Sequence, residues 1–422
     1  MRRILKIVFV LVALYAAYRC TLHLMVEAKL DEIRKQGYPV TLAELDKWYP
    51  QVPAGENAAE ALRTAFASFH EWPLKKPVKC PLLLYYNDLP AHVLPLSRQD
   101  EALVSQCLSD NEKALSLLRQ VRNFRQCRYE PPGHLGELRE AVKLLCLDAI
   151  IRADTPQAVG VVDSLAAAFG LPQTLLSEPT LGTQGTRLTC QRFGRLAFQQ
   201  ILNRRALTES DLVRLDALVD EQTSWEAMHR GFVGYRVLGL DVFNHPWCYF
   251  PIHGGSPTWR QRLILAAIQM SGSYDYDRAY FLDRVATLIR ETKSPTPSTT
   301  RIMGTYNPDG IVDIPQICFL TIVMERNLRI FCNRHARNIA DIRRMHTVVA
   351  IERYRLSKGE LPNKLDELVP AYPAAVPTDP FDGVEPLRYK KLTKGYVVYS
   401  VGMDGQDDGG DEENDITFTV ER

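Results

Sequence analysis

The densest chemistry in this 422-residue chain lies near its C-terminus. Seven carboxylates fall within twelve residues: Asp404, Asp407, Asp408, Asp411, Glu412, Glu413 and Asp415. Gly405, Gly409 and Gly410 interleave with them and allow tight backbone turns. Carboxylates so crowded repel one another unless a cation or water screens them. Calcium is a fitting cation, since it takes about six to eight oxygens from carboxylates and carbonyls in flexible geometry. The spacing grazes an EF-hand loop, with Asp404 first, Asp408 fifth, Gly409 sixth and Asp415 twelfth. Gln406 in the third place and strand-like flanks argue against a true EF-hand. The expectation is a calcium site between Gly402 and Ile416, and the alternative is a solvated acidic turn.

Two further constellations lie mid-chain. Asn244 to Ser256 carries His245, Cys248 and His253 within nine residues. A cysteine-histidine nucleophile or a metal pair could use such residues. Neither spacing is a standard ligand pattern, and Pro246, Pro251, Gly254 and Gly255 imply an irregular loop that packs its aromatics onto helices. Asp275, Asp277 and Asp283 could serve as a carboxylate acid and base, or simply favour a helix start on a solvated face. The chain holds no P-loop, G-x-S-x-G, H-E-x-x-H or G-x-G-x-x-G motif. Nine cysteines without a C-x-x-C argue against a zinc ribbon or a thioredoxin site. Cys107, Cys146 and Cys318 sit in apolar helical runs and read as small buried thiols.

The elements that must position these residues begin with an anchor. Arg2, Arg3 and Lys6 precede an apolar run from Ile7 to Tyr18. Arg19 interrupts, and mostly apolar residues resume to Val26. Three readings stay open: an uncleaved anchor, a cleaved signal and a buried soluble helix. The bulky Tyr15 and Tyr18 around the small residues make a poor cleavage site, which favours the anchor. Basic residues ahead of the apolar run place the N-terminus in the cytoplasm and the rest of the chain outside it.

From Glu27 to about Thr292 the pattern is helical. Thr41 with Glu44, and Thr208 with Asp211, have capping-box spacing. Leu212, Leu215, Leu218 and Val219 form one amphipathic stripe; Leu138, Val142, Leu145, Ile150 and Ile151 approximate another. Residues 293–314 hold a proline, serine and threonine run and a turn, and read as a linker or loop excursion. A long helix follows, from about Pro315 to Ser357, with Ile339, Ile342, Met345 and Val349 as its apolar stripe and Arg334, Arg337, Arg343 and Arg344 as its wet face. A short helix centred on Asp366 and strands at Pro386–Leu392, Gly395–Ser400 and Ile416–Val420 complete the tail. The expected architecture is mainly α. It comprises an anchor (1–26), an α-helical domain (27–292), the linker (293–314) and a C-terminal α+β module (315–422) of a long helix plus a small antiparallel sheet.

In order, the tail reads IERYRLSKGELPNKLDEL, VPTDPFDG, LRYKK and YSVGMDGQDDGGDEENDI. This resembles the globular part of the major pseudopilin family of type II secretion over residues 335–422. The whole layout is similar to bacterial proteins that carry one anchor and such a tail. The resemblance implies a helix meeting a small sheet, with a loop that holds calcium. It points to Asp404 and Asp415 as side-chain ligands, aided by the backbone oxygens of Val401 and Gln406, with Asn414 or Asp411 replacing one of them. A pseudopilin's F-T-L-x-E start is missing, and about 300 residues separate the anchor from the pseudopilin-like part.

The balanced charge, 51 basic against 50 acidic residues, offers no field for nucleic acid, and no small-molecule substrate can be named. The expected protein is a single-pass inner-membrane protein with its bulk in the periplasm or another extracytoplasmic space. It would act as a scaffold or binding protein beside envelope partners, with a calcium-stabilised tail. Rival readings are an extracytoplasmic enzyme with a site near residues 244–283, and a divergent pseudopilus subunit.

Overall fold

Hydroxyl side chains start several helices where the sequence places them. Thr208 Oγ1 accepts from Asp211 N at 3.2 Å, and Asp211 Oδ2 accepts from Thr208 N at 3.4 Å, closing the capping box. Thr41 Oγ1 accepts from Glu44 N at 3.1 Å. The computed structural model describes residues 2–53, 55–70, 98–121, 124, 127–129, 135–155, 160–245, 258–296, 299–300, 303, 314–372 and 375–422. Among these residues the helices are α1 (Arg2–Lys35), α2 (Leu42–Trp48), α3 (Ala58–Ala67), α4 (Arg98–Asp110), α5 (Glu112–Val121), α6 (Leu135–Ala153) and α7 (Val161–Gly170). They continue with α8 (Leu181–Arg204), α9 (Glu209–Asp216), α10 (Glu221–Asn244), α11 (Trp259–Ser271), α12 (Ser273–Lys293) and α13 (Phe319–Lys358). Strands β1 (Arg388–Leu392), β2 (Gly395–Ser400) and β3 (Ile416–Val420) form one antiparallel sheet in that order. The protein is mainly α with a small C-terminal sheet.

Helix α1 has two halves with different surroundings. Ile4 to Tyr18 expose their apolar side chains, and the helix is long and apolar enough to cross a membrane. Beyond Leu22 it docks on the body, where Val26, Leu30 and Ile33 pack with Leu240, Ala279 and Leu282. Gly272, at φ +82°, separates α11 from α12; a Cβ there would come within 2.8 Å of the Tyr18 ring. Glycine therefore serves both the left-handed turn and the close approach of α1.

The amphipathic stripes are core. Leu212, Leu215 and Val219 are buried and Leu218 half-buried; Leu138, Val142, Leu145 and Ile150 are buried and Ile151 half-buried. Helix α13 is the longest element and ends at Gly359, which is left-handed at φ +78°. Its apolar face serves both parts of the molecule: one hydrophobic cluster runs from Ala58 to Val420 without a break at residues 293–314. In that stretch, expected to be a linker or excursion, Thr299, Thr300, Met303 and Ile314 are buried. Most of its other residues lie outside those described.

The strands fall within two residues of their expected bounds. Tyr396 faces Val420, Val398 faces Phe418 and Ser400 faces Ile416. β2 is buried along its whole length. β3 leans on α8: the Phe198 and Phe418 rings are 5.9 Å apart, and Asn203 Nδ2 donates to Thr419 O at 2.9 Å. Tyr396 donates to Glu352 Oε1 on α13 at 2.8 Å, and Arg422 pairs with the same carboxylate.

Candidate functional site

The acidic turn hangs from one buried carboxylate that the sequence analysis did not single out. Asp379 is wholly buried. Its Oδ1 accepts from Ser400 Oγ at 2.7 Å and Phe381 N at 3.0 Å; its Oδ2 accepts from Val401 N at 2.9 Å and Arg388 Nη1 at 3.1 Å. Arg388 also reaches Asp382 at 2.9 Å and Asp407 at 2.9 Å. Burial works against the charge on Arg388, yet these three carboxylates raise its pKa. The T-D-P-F-D-G turn and the first strand are thereby tied to the start of the acidic loop.

Within the loop the expected ligands differ in how far they are engaged. Asp404 is exposed, and its Oδ1 accepts from Gln406 N at 3.1 Å. Asp411 is exposed and accepts from Glu413 N at 3.3 Å and Asn414 Nδ2 at 3.5 Å. Val401 is buried; Gln406 and Asn414 are exposed. Asp415 is the exception. It is only 4% exposed; its Oδ2 accepts from Gly410 N at 2.7 Å and its Oδ1 is buried without a hydrogen-bond partner. Burial and the nearby Asp407 and Asp408 charges raise its pKa. An orphaned carboxylate oxygen suits a hard cation. Among the described residues, however, no three acid, histidine or cysteine side chains converge to hold an ion. Carboxylate ligands here would be two at most, with backbone oxygens supplying the rest.

The mid-chain candidates do not assemble into a described site. His245 pairs with Asp241 at 3.1 Å. Cys248 and His253 lie outside the described residues. Asp275 pairs with Arg19 at 2.9 Å and Asp283 with Lys29 at 2.5 Å. Asp277, expected on a solvated face or in acid-base work, is buried. It accepts from Leu320 N at 2.8 Å and Thr321 N at 3.2 Å, so it caps the N-terminus of α13 from α12. Burial raises its pKa, against the pull of those donors. Cys107, Cys146 and Cys318 are buried free thiols; burial pushes Cys107 up to about 11 and Cys318 up to about 12.

The most unusual polar feature is a seam between α8 and α13. On α8, Gln184, Arg187, Gln191, Arg195 and Gln199 fall on one buried face. On α13, His335, Asn338, Asp341 and Arg344 are buried opposite. Two of the four arginines expected on the wet face of α13, Arg334 and Arg337, are exposed, but Arg344 is only 4% exposed. It is drawn inward because Asp341 accepts from it and, at 3.0 Å, from Arg195 Nη2. Burial opposes ionisation of Asp341, but Arg195, Arg344, Arg337 and Arg192 together lower its pKa. Burial pulls Arg344 down to about 10, and Arg187 also to about 10. Buried nitrogens and oxygens without partners gather here: Arg187 Nε, Gln191 Oε1, Arg195 Nε, Asn338 Oδ1, Arg344 Nε and Nη1, and both His335 ring nitrogens. No sequence motif marks the seam; the signal was arginine and glutamine at helical spacing along otherwise core-forming α8.

No family model, curated protein or solved structure matches this chain.

Proposed function

We propose that this chain is a single-pass membrane protein whose helical body rests on the outer surface of the bilayer and acts as a scaffold or binding module of the cell envelope. The observation that carries this is the clasp between α1 and α11. Arg19 Nη1 donates to Gln269 O at 2.7 Å, and Tyr15 donates to Met270 O. Tyr15 belongs to the exposed apolar stretch of α1, so α11 reaches the level of the proposed span. On α11, Trp259, Leu263, Ala267 and Met270 recur at helical spacing and are all exposed. Arg260 lies over the Trp259 ring at 5.3 Å, and Arg262 follows. Such a face, an apolar stripe with tryptophan and arginine, suits the bilayer interface. Asp277 brings the start of α13 to the same end of the body, and Ile317 and Phe319 are exposed there too.

The pseudopilin-like tail and its calcium belong to this proposal. The Asp404 and Asp415 side chains, with the Val401 and Gln406 carbonyls, are the proposed donors, Asn414 or Asp411 standing in for one of them; the unpartnered Asp415 Oδ1 is what favours them.

The test places the full chain in nanodiscs whose lipids carry bromine near the headgroup. Native fluorescence should be quenched more than that of Trp259→Phe. Equal fractional quenching in the two proteins would remove α11 from the bilayer. A reporter at Arg422 active only in the cytoplasm would reverse the topology.

A further inference from the structure

We propose that the arginine seam between α8 and α13 is an anion-binding site for a phosphoryl group. This goes beyond the membrane-scaffold reading and does not depend on it. Along the seam opens a cleft of about 310 Å³ that presents Arg192, Arg195, Arg334 and Arg337 with a single carboxylate, Asp341. Thr189 and Asn338 add a hydroxyl and an amide to its wall. Asp341 is already shared by Arg195 and Arg344. Neither Arg334 nor Arg337 forms an ion pair with a described carboxylate. Arg192 has a partner of its own, and Glu412 and Asp415 line the adjoining chamber, so the surplus positive charge of the cleft rests on Arg334 and Arg337.

Like charges held this close destabilise the fold unless a counter-ion joins them. Partly buried guanidiniums are also costly when their N–H groups stay unbonded. A chain whose only aim was a packed helix pair would fill this face with leucine. The chemistry of the occupant follows from count and shape. A carboxylate brings one charge and two oxygens, which two guanidiniums satisfy. A phosphoryl group brings nearly two charges and at least three acceptor oxygens, matching several forks converging from two helices. Arg334 and Arg337 at the exposed rim would make first contact; Arg195, held by Asp341, would lie further in. An adjoining chamber shares Arg195, Arg337 and Asp341 and is lined also by Glu412, Asp415 and Phe418, so it borders the last strand.

The phosphoryl group could belong to a soluble phosphate or to a lipid headgroup, and the experiment separates them. The full chain is melted in inorganic phosphate against chloride at equal ionic strength. It is melted again in nanodiscs with phosphatidic acid against phosphatidylcholine alone. A rise in midpoint with phosphate assigns a soluble ligand, and a rise confined to phosphatidic acid assigns a headgroup; either supports the site. Calorimetric titration should show roughly tenfold weaker binding in the Arg334→Gln, Arg337→Gln double variant, whose midpoint in chloride should equal or exceed the native one, because repulsion between arginines is relieved. Should that midpoint fall, the single Arg337→Gln variant, read by titration, decides. No rise with either probe, or a rise that the variants leave intact, would overturn the site.

Discussion

Asp379→Ala should loosen the whole C-terminal turn. The side chain is wholly buried and accepts four hydrogen bonds, two from backbone amides that have no other described acceptor. Removing it leaves Phe381 N and Val401 N unsatisfied inside the fold and takes one carboxylate from Arg388. Breaking a buried ion pair by deleting one partner costs about 3–5 kcal/mol. Arg388 is 20% exposed and keeps Asp382 and Asp407, so the lower end applies. A loss of about 3 kcal/mol corresponds to roughly a hundredfold faster opening. Hydrogen exchange of the full chain reads this directly, at the amides of β2 and β3 that the turn holds in register. The control is Asp382→Ala, whose side chain is more exposed and whose loss should cost about 1 kcal/mol or less. If the β2 and β3 amides of Asp379→Ala exchanged at the native rate, the claim that this carboxylate organises the tail would be wrong.

Three other outcomes are expected. Gly272→Ala should destabilise the docking of α1, by about 1–2 kcal/mol for the left-handed backbone alone and more for the approach to Tyr18; an unchanged thermal midpoint in detergent would contradict it. His335 is buried beside Arg187 and 4.5 Å from the Trp225 ring, and burial, with the Arg187 charge, pulls its pKa from 6.5 down to about 3. A depressed folded pKa means that its contribution is complete above 6.5 and falls as pH drops toward 3. The slope is up to about 1.4 kcal/mol per pH unit, so the native midpoint should drop between pH 7.5 and 5 and the His335→Leu midpoint should drop less; parallel curves would refute this. Calcium at a hundredfold excess over Kd should stabilise the full chain by roughly 2.7 kcal/mol relative to chelator; a shift that survives Asp404→Ala with Asp415→Ala would displace the site from this loop. The full chain is needed because β3 packs on α8.

Local chemistry made much of this protein legible from its sequence. Thr41 and Thr208 cap helices because a hydroxyl there meets amides only three residues on, whatever the rest of the chain does. Alternating residues from Ile416 to Val420 show the last strand, since side-chain period is a backbone property, and the aromatic and β-branched run after Gly395 shows another. The uncharged run after Lys6 shows the apolar helix by composition alone. Tertiary structure decided where long-range partners had to meet. Asp341 and Arg195 are 146 residues apart, and only the packing of α13 on α8 turns a helix's wet face into a buried seam. Asp277 was legible as a helix-start aspartate; that it caps a different helix, 44 residues on, depends on how α12 meets α13. The acidic loop divides the same way. Its carboxylates and glycines were plain in the sequence, but that Asp415 alone is buried, with one oxygen unbonded, follows from β3 drawing it against the two helices. Periodicity reports which face of an element is apolar; the partner that covers a polar face is set by the fold.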